Sequence, residues 1–374
     1  IVVSAAGTIT KGTGSSDLTL NVGITANGAL TLNGGGSGVI TVSTIGTAGG
    51  FTFGGENMST GGEYFSANTI TTTSGDITFN YGTGGNGFID VSAINTVSGF
   101  TLTGASLTTG DIVLASLSAT QGININLGGM SGTISAAAVD TDGAFVLNAG
   151  SASNLQIDIE TLSASAATVT LGAVSDSTMA NGISSVQADS FTLAGTNYRE
   201  IFTAHDISAS GVTISFGDLS DAFSVSAITT ETFSFAGGDG ANFSATITQL
   251  DIGAADFTFT MPELGNGLTI TRFGFSASGT MVGTHNADTV SASSSSAAGD
   301  TIKFEFNMGE DSVTDTLGYF NGGGKDLVKI LNFDKDSDDL KTNMAGNATA
   351  VGTTTAASII GGALGASISA SDLT

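Results

Sequence analysis

Apolar and small polar residues alternate along most of this chain, and the alternation recurs at a fixed interval. An apolar residue followed five places later by another opens IDVSAI at Ile89, IVLASL at Ile112, ISAAAV at Ile134 and IDIETL at Ile157. Further copies begin at Ile183, Ile201, Phe223, Ile247 and Ile270. Eight steps separate the first from the last, so the mean period is (270 − 89)/8, about 22.6 residues. A second row interleaves with the first: ITFNY at Ile77, FTLTG at Phe100, FVLNAG at Phe145, FTLAG at Phe191, FSFAGG at Phe233 and FTFTM at Phe257. Alternation of β-branched and aromatic residues with small polar ones, closed by Gly, Asn or Thr, predicts half-buried strands.

Two short strands in every 22 or 23 residues, with no 3.6-residue apolar period between them, leave few architectures. A βαβ array needs a helix in each crossover. An antiparallel sandwich has no reason to keep a fixed period. A parallel β-solenoid does, because each turn must cover the one below it. The sequence therefore predicts an all-β chain, a parallel β-solenoid of about 22–23 residues per turn over residues 1–282. Ile1 to Thr10 begins with three β-branched residues and reads as a strand. It is expected to pair with a neighbouring subunit or an upstream segment rather than with its own first coil.

Charge narrows the class of partner. The 374 residues carry 33 Asp and Glu against 8 Lys and Arg, a formal net charge of −25. Such a chain has no cationic patch with which to neutralise phosphates, so nucleic acid is not an expected partner. It attracts cations instead. No apolar run approaches the roughly 20 residues that cross a bilayer as a helix, so the chain is not expected to span a membrane. Cysteine is absent, which excludes a disulfide scaffold. Only Lys11, Arg199 and Arg272 are basic before residue 300, and the outward strand positions are mostly Thr, Ser, Asn and Ala. Faces so poor in charge would let neighbouring solenoids pack side by side.

After Phe275 the pattern fades. Ser291 to Gly299 is a run of Ser, Ala and Gly, and five of the eight basic residues follow it. A second segment, residues 283–374, is expected here. Its stretch DLVKILNFDKDSDDLKT (326–342) gathers five carboxylates and three lysines. An EF-hand starting at Asp334 would need Gly at the sixth place and Glu at the twelfth, where Asp339 and Ala345 stand, so that reading fails. Asp334, Asp336, Asp338 and Asp339 offer hard oxygen ligands for calcium; equally, Lys335 and Lys341 would neutralise them in a solvated turn. Further candidate calcium ligands are Asp239, set between glycines, and Asp311 and Asp315 in GEDSVTDT.

Three motifs of this segment resemble the calcium-binding repeats-in-toxin family. GTHNADTV, through Gly283, Thr284, Asp288, Thr289 and Val290, is similar to the opening of such repeats. DTIKFEF, with Asp300, Thr301 and Phe304, resembles the family's following strand. The stretch at Asp326, Val328, Phe333, Asp338, Asp339 and Leu340 resembles its terminal motif. The family's glycine-rich nonapeptides do not occur in tandem here. The resemblance adds Asp288, Asp300 and Asp326 to the candidate ligands and implies calcium as a cofactor. It also implies type I secretion and an extracellular, cell-surface location. The Gly-, Thr-, Ser- and Asn-rich remainder resembles the surface-layer proteins of Gram-negative bacteria that share this export route.

Catalytic chemistry is not expected. The two histidines, His205 and His285, are far apart in sequence, and Asp158 and Glu160 have no Arg or Lys near them. His205 falls in NYREIFTAHD, which reads as an irregular coil inserted in the solenoid, with Tyr198, Arg199, Glu200 and Asp206 as companions. The expectation is a structural protein that assembles with itself into a lattice or filament. The alternative is an adhesin or binding module, part of a larger exported protein, with cell-surface polysaccharide as a partner.

Overall fold

The computed structural model describes the whole chain except residues 13–16, 36–37, 57–62, 82–85, 105–108, 129–130, 151–154, 173–179, 196–200, 218–221, 239–242, 254–256, 262–264, 276–278, 285–287, 296–301, 308–315, 318–326, 332–339, 342–348, 354–355, 361–366 and 369–374. The chain is all-β and adopts the parallel β-solenoid fold that its period predicts. It forms two compact units, Ile1–Ala204 and His205–Thr374.

In the first unit successive coils stack in parallel register. Ile89 lies opposite Ile112, Ile112 opposite Ile134, and Ile134 opposite Ile157. The five-residue spacing has a structural cause. In a straight strand, residues i and i+5 point to opposite faces. Here Ile89, Val91 and Ile94 are all buried, because Ser92 and Ala93 both turn outward and the strand Asn86–Thr96 bends between them. The same pair of outward residues recurs at Ala115–Ser116 and Ala137–Ala138 in the strands Thr109–Ala119 and Ser131–Thr141. Each long strand thus covers two sides of its coil. A short strand, such as Gly99–Thr103, Gly122–Asn126 or Ala144–Asn148, forms a third.

Register also corrects the phase of several sequence copies. Ile183 stands against Ile159, not Ile157, and so occupies the second inward position of its coil. Ile247 pairs with Val225, and Ile270 with Ile247, at that same second position. Ile201 is 45 % exposed, and its neighbour Phe202 is the buried residue. Misplaced origins exaggerate the irregular steps of the sequence repeat, but the coils themselves also vary, with 25 residues between Ile40 and Phe65 and 22 between Ile112 and Ile134.

The N-terminal residues join their own first coil, where the sequence pointed to an outside partner. Val2 and Val3 pair with Thr25 and Ala26, and Gly7–Thr10 pairs with Leu30–Asn33. The apolar side chains stack rung on rung, with Phe51, Phe53, Phe65 and Phe79 fully buried and the Phe53 and Phe65 rings 4.7 Å apart. Each buried Phe contributes roughly 2–3 kcal/mol from area removed from water.

The second unit continues the same plan. Phe223 pairs with Ala245, and Ala245 with Leu268. Phe235 and Phe259 stack at 4.3 Å with their planes 14° apart. The composition change at residue 283 does not end the parallel pairing: Gly279–Val282 pairs with Ile302–Glu305, and Lys303–Asn307 pairs with Leu327–Leu331. Leu327–Leu331 then pairs antiparallel with Ala356–Ile360.

Candidate functional site

Of the candidate calcium ligands, only Asp288 is among the described residues. Asp239, Asp300, Asp311, Asp315, Asp326, Asp334, Asp336, Asp338 and Asp339 lie outside them. Asp288 precedes the Thr269–Thr289 rung by one residue and so stands beside Leu268, in the inward row of Phe223, Ala245 and Leu268. Its side chain is completely buried. The carboxylate accepts hydrogen bonds from the Leu268 N–H at 2.7 Å, the Thr284 N–H at 2.7 Å and the Thr284 hydroxyl at 3.0 Å. Three donors take up most of the acceptor capacity of a carboxylate, and a calcium ion would need those same lone pairs. As placed, Asp288 ties the Thr284 loop to the preceding coil. Thr284 is buried beside its acceptor.

His205 and Asp206 lie in the strand Ile201–Phe216, not in an irregular coil. They are the two outward residues of that strand's bend, and the His205 Nδ1 sits 2.9 Å from Asp206 Oδ2 with both side chains largely in solvent. Tyr198, Arg199 and Glu200 lie outside the described residues. Among the described residues, no group of three or more His, Asp or Glu side chains gathers into a metal-sized cluster. Nor is there, among them, a helix long and apolar enough to cross a membrane.

Two surfaces of the first unit are organised beyond what its fold requires. One is an outward row on the long strands, where Val39, Tyr64 and Phe88 stand in register. The Tyr64 and Phe88 rings lie 6.3 Å apart, half-buried against each other, and the Tyr64 hydroxyl donates to Asp90 Oδ2 at 2.8 Å. Burial, then the Asp90 carboxylate, raises the Tyr64 pKa above its ordinary value. Val113, paired with Asp90 in the adjacent row, is 41 % exposed. These residues make an apolar, partly aromatic patch bordered by two carboxylates, Asp90 and Asp111.

The other surface belongs to the short strands. Thr8, Thr31, Thr52, Thr78, Thr101, Asn124, Val146, Thr168 and Thr192 form one continuous register row. Two residues further along each strand, Thr10, Asn33, Gly54, Asn80, Thr103, Asn126, Asn148, Thr170 and Ala194 form a second row. From Leu32 onward the residues between them, among them Phe53, Phe79 and Leu102, are buried, so both rows face outward. Among the described residues, none of the threonine hydroxyls in these rows hydrogen-bonds to the chain.

A different threonine population faces inward. Thr47, Thr72, Thr96 and Thr141 are buried, and their hydroxyls serve corner backbone: Thr47 donates to the Gly49 carbonyl and Thr72 to that of Gly75, both at 2.6 Å. Sequence reading found the outward Thr and Asn but not the rows, because rows exist only once register is fixed. The usable signal was the recurring Thr-x-Thr or Thr-x-Asn at the same place in the second strand of each period. In comparisons with known proteins, the chain matches no family, no curated protein and no solved structure.

Proposed function

We propose that this chain is a structural, extracellular protein that associates with copies of itself, as a subunit of a surface layer or filament. The observation that carries the reading is the outward patch of Val39, Tyr64, Phe88 and Val113 on strands that otherwise present small polar residues. Half-buried aromatic rings rimmed by polar and charged residues, here Asp90 and Asp111, are what a lateral protein contact uses at its centre. The export-like motifs of the C-terminal segment support a location outside the cell. Calcium enters the proposal through the acidic residues around Asp311, Asp315 and Asp334 to Asp339, since Asp288 is already bound to the chain. Negative-stain microscopy and sedimentation, with and without chelator, test the reading. Ordered assemblies that dissolve on chelation, and that Tyr64→Lys or Phe88→Lys prevents, are expected; monomers under every condition would sink it.

A binding module for cell-surface polysaccharide is the second reading. The Tyr64 ring with the Asp90 carboxylate beside it favours this reading, because a sugar ring takes both an apolar face and a hydrogen-bond acceptor. Retention on polysaccharide columns that Tyr64→Ala and Asp90→Ala abolish, without any change in assembly, would favour it over the first.

A further inference from the structure

The paired threonine and asparagine rows repeat in two directions, and this restricts what they can recognise. Successive rungs are about 4.8 Å apart, and the two rows stand about 6.6 Å apart along each strand. Over the eight intervals from Thr8 to Thr192 the array extends about 38 Å at that strand spacing. A discrete small ligand is held by a few groups converging in a concave site. A periodic array spread over one face is complementary to a ligand that is itself extended and periodic.

Chemistry then selects among such ligands. Neither row contains Asp, Glu, Lys or Arg, so an ionic crystal face meets no counter-charge here. A crystalline polysaccharide calls for exposed aromatic platforms, whereas Phe51, Phe53, Phe79 and Phe100 of these strands are all buried. What most rungs do present is a hydroxyl or amide, and the threonines add a methyl group at the same position. The hydroxyls have no internal hydrogen-bond partner among the described residues, unlike those of Thr47, Thr72 and Thr96 on the inside. A rigid ladder of strands fixes their spacing before any ligand arrives, which removes most of the ordering cost of binding. The neutral lattice that offers donors and acceptors at such a spacing, with hollows for methyl groups, is ordered water.

We infer that the face carrying the Thr8–Thr192 and Thr10–Ala194 rows binds ice. This goes beyond the structural reading above and does not rest on it, since the aromatic patch belongs to a different set of strands. Each contact is worth little alone, and the array acts through many simultaneous water-mediated contacts.

The experiment uses the full chain. Partition of the protein into a slowly growing ice hemisphere and the thermal hysteresis of its solution are measured for the natural chain, for Thr78→Tyr/Thr101→Tyr, and for Asn95→Tyr. Asn95 is exposed on another side of the same coils and serves as the control. The natural chain and Asn95→Tyr are expected to enter the ice and to separate the freezing and melting points, and the double variant to lose both properties. Thr78→Val/Thr101→Val, which keeps the methyl groups and the shape, shows whether the hydroxyls contribute and covers the case in which the tyrosine variant does not fold. Exclusion of the natural chain from ice, with no hysteresis, overturns the inference. So does loss of ice binding in Asn95→Tyr with retention in both Thr variants. Sedimentation and pull-down on crystalline cellulose or chitin identify the alternative occupants. If the Thr substitutions abolish self-association or glycan retention while ice excludes the natural chain, the face belongs to a second copy or to a polysaccharide.

Discussion

Gly143 and Ser165 stand at the same corner of successive coils and turn it in different ways. The Ser165 N–H donates to the Gly143 carbonyl at 3.0 Å, so the two corners lie directly one on the other. Up to Gly143 the corner takes four steps between inward residues, as in Thr96 to Phe100, Ala119 to Ile123 and Thr141 to Phe145, or five at Thr72 to Ile77. Turn residues then separate two strands, Ser131–Thr141 and Ala144–Asn148. In the coils from Leu155 to Phe235 the corner takes three: Ala164 to Ala167, Ala209 to Val212 and Thr230 to Phe233; at Ile252 to Phe257 it lengthens again to five. One residue fewer removes the turn, and the strand runs unbroken through the bend, as in Leu155–Leu171 and Ala222–Ala236.

The longer corner needs special residues. A Cβ on Gly143 would collide with the Gln121 carbonyl, and Gly122 sits at φ 144°, a conformation that L residues rarely adopt. It also leaves backbone groups that Thr72, Thr96 and Thr141 satisfy with buried hydroxyls. The shorter corner is made by Ser165–Ala166, Ser210–Gly211 and Glu231–Thr232, and alanine replaces threonine at Ala164 and Ala209. Thr230 is the exception, and its hydroxyl donates to the Thr232 carbonyl at 2.7 Å. A tighter corner that keeps the ladder intact has fewer stranded backbone groups to serve.

The largest expected effect follows from the collision. Gly143→Val should cost about 4 kcal/mol or more, or prevent folding, since the clash is with backbone that cannot swing aside. Gly211→Ala, at the short corner, should fall within about 1 kcal/mol of the natural chain and favour the folded state if it shifts at all. Its added Cβ would meet only the end of the Thr232 side chain, at 3.0 Å, and its φ is not positive. Urea unfolding followed by circular dichroism compares the two. Equal losses would show that corner length does not set the glycine requirement.

Removing a corner hydroxyl should cost less. Thr72 Oγ1 lies 2.7 Å from Thr96 Oγ1 and donates to the Gly75 carbonyl, with both threonines buried. Thr72→Val keeps the volume and removes one of the two hydroxyls that serve the Gly75 carbonyl, which keeps Thr96 as a donor at 3.0 Å, so the cost should be about 0.5–1.5 kcal/mol. Ala119 interrupts the threonine row between Thr96 and Thr141. Ala119→Thr should therefore be tolerated within about 1 kcal/mol, because the new hydroxyl has threonine hydroxyls above and below it. The same unfolding assay reads both. If Ala119→Thr costs as much as Thr72→Val, the row reflects packing rather than hydrogen bonding.

Much of this architecture could be read from the sequence because a solenoid writes its period into the chain. The spacing of Ile89, Ile112, Ile134 and Ile157 sufficed for the fold class, and these residues do stack. The bends were not visible as bends, since a five-residue spacing contradicts strand alternation until two consecutive outward residues are allowed. Ile183 and Ile201 were misphased for that reason. The change of corner also left only a faint trace, a single deletion per period hidden by loops of varying length. The function-bearing surfaces were harder still. Tyr64 and Phe88, or Thr52 and Thr78, are more than twenty residues apart and become neighbours only through register. Asp288 was singled out by its motif, but its burial came from its place in an inward row, which the fading pattern after Phe275 concealed.

The smallest expected effect concerns pH, and it belongs to the long corner alone. Asp76 accepts a hydrogen bond from the Ser98 hydroxyl and another from the Gly99 N–H at 2.9 Å, and these, the Ser98 bond first, hold its pKa below the ordinary carboxylate value. Slight burial opposes them. A carboxylate whose folded pKa is depressed adds stability above its unfolded pKa, and that contribution disappears as pH falls through the folded value. Asp76 is exposed, so the increment is small. The later corners place Gly99, Gly122, Ala144, Ala166 and Ser190 along the same edge, none of which titrates. Asp76→Asn should accordingly lower the urea midpoint slightly at neutral pH and leave it unchanged in acid, where the natural carboxyl is also uncharged. Acid relieves the repulsion of a chain at −25 in both proteins alike, so that effect cancels in the difference between them. A gap that persists in acid would mean that Asp76 acts through its shape and neutral hydrogen bonds. A gap confined to neutral pH would show that its charge fastens this corner to the next coil.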